Sequence, residues 1–144
     1  MYVDEKDRSW CSSSGANDNR AITIEVASDT THPYAITDAA YKSLINLLVD
    51  ICKRNGIAKL VWSNNRNDRI NHLNGVNMTC HRDFANKACP GDYIYSREGT
   101  IANEVNARLG GKVEPEKPVV TPTPAPATSD STIKVGSLVE ITGS

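Results

Sequence analysis

The 144-residue chain has 16 basic and 17 acidic side chains, a net charge of −1, and 39% apolar content. These values suit a globular protein and give no basis for a nucleic-acid partner or an acidic membrane surface. No apolar run is long enough to span a bilayer, and Met1-Tyr2-Val3-Asp4-Glu5-Lys6 turns charged too soon for a signal peptide. Without such a leader, Cys11, Cys52, Cys80 and Cys89 are not read as a disulfide framework.

Tyr2 and Val3 have strand character at the very start of the chain. Ala21 to Ala27 alternates, with Ile22, Ile24 and Val26 on one face and Thr23 and Glu25 on the other. That pattern predicts a strand with one side in the core. Thr37 is an N-cap candidate, and Ala40, Leu44, Leu47, Leu48 and Ile51 follow at helical spacing. A helix is expected from about residue 38 to 55, stopped by Gly56. Cys52 falls inside it and reads as a small core residue. Leu60-Val61-Trp62 suits a second strand, and Ile101, Val105 and Leu109 predict a C-terminal helix ending at Gly110. This order points to an α/β domain over residues 1–111, a mixed central sheet flanked by helices.

Residues 112–132 hold five of the seven prolines and no aromatic residue. Repeated proline fixes φ and removes amide donors, so the stretch reads as an extended linker. Residues 133–144 resume a strand-like pattern around Gly136 and are expected to begin a truncated second domain.

The stretch most informative about chemistry is His81-Arg82-Asp83-Phe84-Ala85-Asn86-Lys87-Ala88-Cys89-Pro90-Gly91. Imidazole and thiolate are borderline-soft donors that suit zinc. Eight positions let a loop return and bring His81 and Cys89 to one ion, and Pro90-Gly91 turns the chain at once. Lys87 nearby would favour the thiolate. On spacing alone, a lone His and Cys in a loop are more often structural. Glu25, on the polar face of its strand, is either simply solvated or faces an open groove. Trp10 is either a core residue or a groove residue.

The segment His81 to Gly91 resembles the closing motif of the type-2 N-acetylmuramoyl-L-alanine amidases. These include phage lysozyme-type amidases and peptidoglycan recognition proteins. The match is carried by His81, Lys87, Cys89, Pro90 and Gly91. Upstream, Trp10, Asn19 and Ile22-Thr23-Ile24-Glu25 resemble a second family segment, so the resemblance spans about residues 1–110. It implies that His81 and Cys89 are zinc ligands, Lys87 an oxyanion stabiliser and Glu25 the general base. Trp10, Cys11 and Asn19 would line the substrate groove. The family's first zinc ligand is a His on an early strand, and no His here sits on one. The third ligand is therefore expected upstream of Met1, with His32 and His72 given little weight.

The resemblance further implies Zn²⁺ as cofactor and the muramyl peptide of peptidoglycan as substrate. It implies a monomer that is secreted or released to the cell wall, as endolysins and autolysins are. Residues 133–144 weakly resemble the opening of a Src-homology-three-like wall-binding barrel. The rival readings are a non-catalytic peptidoglycan-binding module and a small protein with structural zinc on Cys80, His81, Cys89 and His72.

Overall fold

The computed structural model describes residues 4–110 and the backbone of residues 135–142. The strand expected at Tyr2 and Val3 and the linker at 112–132 lie outside the described residues.

A four-residue helix, α1 (Gly15–Asp18), is capped by the Ser14 side chain and leads into β1 (Ala21–Ala27). Ile24 and Val26 of β1 are buried while Glu25 is exposed, as the alternation predicts. Helix α2 (Asp38–Arg54) begins where Thr37 Oγ1 accepts from the Ala40 amide at 3.1 Å. It ends at Asn55, followed by Gly56 in the left-handed region. The buried face of α2 is Leu44, Ile45, Leu48, Ile51 and Cys52, whereas Leu47 is 40% exposed. Helix α2 packs on α6 (Glu98–Leu109), whose Ile101 and Val105 are fully buried.

Between α2 and α6 come α3 (Arg66–Ile70), β2 (Met78–Thr79), α4 (His81–Phe84) and α5 (Asp92–Tyr95). Leu60, Val61 and Trp62 do not form the expected strand. Side chains take up the backbone donors a ladder would need: the Leu60 amide bonds Asn106 Oδ1 at 2.7 Å, and the Val61 amide bonds Asn77 Oδ1 at 2.8 Å. The apolar run is nonetheless used, since Leu60 is buried in the core.

The third strand, β3 (Val135–Thr142), lies between β1 and β2 and is antiparallel to both. Its register sets Ile24 opposite Val139 and Thr79 opposite Glu140. Residues 135–142, read from sequence as the opening of a second domain, thus pair by backbone with this sheet. Strands and helices together make an α/β arrangement, and among the described residues the sheet is antiparallel rather than mixed.

Neighbouring leucines on α2 test the orientation of this helix. Leu48→Ala removes a fully buried side chain and is expected to cost about 2–5 kcal/mol in urea unfolding. Leu47→Ala, next door and half-exposed, is expected to change stability by about 0.5 kcal/mol or less.

Candidate functional site

The local structure of residues 79–91 is set from behind. Asp83 is completely buried and accepts from the Cys80 amide at 3.0 Å, closing the first turn of α4. The same carboxylate takes two bonds from Arg69 of α3, at 2.9 Å from Nε and 2.6 Å from Nη2. Arg69 is only 1% exposed. Its guanidinium lies 4.4 Å from the centre of the Trp62 ring, and it donates to Ser63 O and Tyr95 Oη. Asp83 thereby points inward and His81, two residues earlier, points outward, partly exposed.

The chain then doubles back. The Arg82 amide donates to Cys89 O at 3.1 Å, and the Arg82 guanidinium holds Ala88 O and Asp92. These bonds bring the turn carrying Lys87 and Cys89 against the start of α4. Gly91 closes the turn at φ +83°, where a Cβ would stand 2.7 Å from Tyr34 Cβ, so a larger residue meets both backbone strain and a clash. His32 bonds Asp92 at 2.7 Å, and with Arg82 it holds that carboxyl below the usual carboxylate range.

A second loop faces His81 from the N-terminal side. Ser13 Oγ lies 2.7 Å from His81 Nε2. The loop is braced by Asp18, 2% exposed, which accepts from the Ser12 amide at 3.0 Å and the Ser12 hydroxyl at 2.6 Å. Burial, and then the positive charge of Lys87, lower the His81 pKa, with Asp18 opposing. Its imidazole is therefore neutral near pH 7, the form that binds a metal or accepts a proton.

Lys87 is exposed and lines a cleft of about 460 Å³ with His32, Tyr34, Arg82, Asn86 and Asp92. Glu25 lines a different cleft, of about 400 Å³, whose floor includes Ile22, Ile24 and Ile51 and whose rim carries Asp4, Glu5 and Asp7. There the Cys11 Sγ donates to Glu25 Oε1 at 3.8 Å. Lys87, His81 and Cys89 thus gather around one hairpin, while Glu25 and Cys11 are brought together elsewhere.

A sequence model of the N-acetylmuramoyl-L-alanine amidase family matches residues 1–92. The chain belongs to this family. No curated protein and no solved structure gave a match. The bond named in the family's description is the amide that joins the stem peptide to the muramoyl sugar of the glycan strand, which gives the hairpin and its clefts a chemical context.

The family resemblance implies zinc, with His81 and Cys89 among its donors. Catalytic zinc takes three protein donors. Among the described residues no group of three or more His, Cys, Asp or Glu side chains is arranged to hold a metal ion. The bond from the Arg82 amide to Cys89 O brings the backbone of Cys89 to the start of α4, beside His81. Cys80 does not join them: it is fully buried, and desolvation followed by the charges of Asp83 and Glu98 pushes its thiol far up. The structural-zinc reading through Cys80 and His72 therefore finds no support among the described residues.

The remaining sequence-picked positions are more peripheral. Trp10 is 82% exposed under a stacked Arg8 at 3.8 Å, which overturns its reading as core. Asn19 caps the end of α1 and is exposed. Sequence reasoning missed Ser13, Asp18, Arg69 and Asp83. Short polar loops and an Arg within Arg66-Asn67-Asp68-Arg69 carry no pattern that separates them from surface.

Removing Asp83 would strand the buried Arg69 charge. Asp83→Ala is expected to cost about 3–5 kcal/mol in thermal or urea unfolding, well above an exposed ion pair such as Arg54 with Asp50.

Proposed function

We propose that this chain is the catalytic portion of an endolysin or autolysin that hydrolyses the amide between N-acetylmuramic acid and L-alanine in a zinc-dependent reaction. The hairpin contact between the Arg82 amide and Cys89 O carries the reading, because it brings the residues of the family motif to one place. His81 and Cys89 are two zinc donors in this proposal, and a further donor comes from outside the described residues. Lys87 stands exposed beside the cleft, where its ammonium can meet the amide oxygen as negative charge develops there. A fixed cation at that point acts more on the transition state than on the bound substrate. Glu25 enters as general base on the family resemblance alone, since its carboxylate lines the neighbouring cleft.

The substrate is polymeric and outward of the cell membrane, so the proposal places the enzyme at the wall, secreted or released. Residues 112–132, rich in proline, would serve as a tether for a wall-binding element, whereas residues 135–142 pair with the sheet of the catalytic domain. A tether raises the local concentration of substrate without new contacts at the active site.

One observation favours a second reading. The incomplete donor set among the described residues fits a module that binds peptidoglycan without cutting it. Purified wall separates the two. Hydrolysis frees the amino group of L-alanine, and its appearance with time is the predicted result. Lys87→Met is expected to lower the rate about 100-fold or more while wall binding persists. Cys89→Ser and a chelator are expected to abolish it. Wall binding with no released alanine amino group, even with added zinc, would support the binding module.

A further inference from the structure

Behind α4 lies a carboxyl group that the proposed reaction does not use. Glu98 opens α6, and its side chain is completely buried. Neither of its carboxylate oxygens has a hydrogen-bond partner among the described residues. An ionised carboxylate enclosed in this way is strongly disfavoured, because no donor replaces its lost water.

The surroundings offer little compensation. Arg69 of α3 is turned to Asp83, to Ser63 O and to Tyr95 Oη of α5. Arg69 and Asp83 cancel each other, so an ionised Glu98 would leave one uncancelled negative charge inside the fold. Cys80, just ahead of α4, is neutral and feels the same charge. Arg97, which precedes Glu98, is drawn away to Tyr93 O and Ser96 Oγ and stacks on the Tyr93 ring. The carboxyl group therefore sits in the fold as the neutral acid.

We propose that Glu98 is a proton-operated latch beneath α4. With its proton bound, the Arg69–Asp83 pair that braces α4 holds. When the proton is lost, the added negative charge loosens that pair and the backbone that presents His81. The shift in its titration agrees: burial first, and Asp83 second, push the Glu98 carboxyl well above its ordinary range, with Arg69 opposing. The sign follows from linkage. A carboxyl raised in the folded state contributes most below its unfolded pKa, and that contribution is lost as pH rises through the folded value.

Other groups also titrate. His72 and His81 are both lowered, mainly by burial, and they weaken the fold only below about pH 6.5. Cys52 and Cys80 are raised by burial and act near and above about pH 8.5, where free thiols ionise. The difference between the native chain and Glu98→Gln removes all four from the comparison.

The test follows thermal midpoints and amide exchange of both proteins from pH 5 to pH 9. The native midpoint is expected to fall behind that of Glu98→Gln by a margin that widens with pH. Protection of the Cys80 and Ala85 amides, which bond Asp83 and His81 O, is expected to drop in the native chain by up to about tenfold per pH unit relative to the variant. A pH-independent difference between the two proteins would overturn the latch and leave Glu98 a passive core residue. Should the variant fail to fold, infrared spectra of the native chain decide. A protonated-carboxyl carbonyl band that persists at neutral pH supports the latch, and its absence overturns it. None of these readouts needs catalytic turnover, so they stand apart from the amidase reaction.

Discussion

Arg69 and Asp83 form the contact on which the candidate site depends. Both side chains are essentially out of water, 2% and 0% exposed, and two hydrogen bonds join them. Such a pair is not a cheap source of stability, since each charge must be desolvated before the two attract. Its value here is positional. Asp83 also accepts the amide that starts α4, so fixing its carboxylate fixes the turn that displays His81. Trp62 and Tyr95 pack edge to face at 5.8 Å and shelter the guanidinium, which lies within reach of both rings. The apolar run at Leu60 to Trp62 thus serves the site, although it forms no strand.

From that anchor the electrostatics run outward in layers. The innermost layer holds Arg69, Asp83 and the neutral acid of Glu98, with no donor left for the last. The next holds His81, kept neutral by burial and by Lys87, with Ser13 and Asp18 across from it. The outermost holds Lys87 in an open cleft beside the linked His32, Asp92 and Arg82. A neutral imidazole inside an exposed cation suits a site that must gather donors and meet an oxyanion. A rise in negative charge at the innermost layer would be felt through Asp83 by the whole stack.

The regular parts of the fold were legible because their periodicities are long and clean. Ile22, Ile24 and Val26 alternate over seven residues, and Leu44, Leu48 and Ile51 repeat over a seventeen-residue helix. The turn after Cys89 was legible from Pro90-Gly91, and the motif around it carried the family. Leu60 to Trp62 misled because side-chain amides of Asn77 and Asn106 took the places of a ladder partner, and pairing partners leave no local signature. Arg69, Asp83 and Ser13 were not legible for a related reason. Their roles come from contacts 14 and 68 residues away in sequence, which a single chain does not display. The place of residues 135–142 between β1 and β2 is equally non-local.

The proposed reaction requires this anchored hairpin to make His81 and Cys89 donors to one metal ion. Cobalt(II) titrated into the protein reports on it directly, since a bound thiolate gives an intense sulfur-to-metal absorption band. The native protein should develop that band, and it should disappear in Cys89→Ser and fall in both His81→Ala and Asp83→Ala. A native spectrum indistinguishable from that of Cys89→Ser would contradict the account.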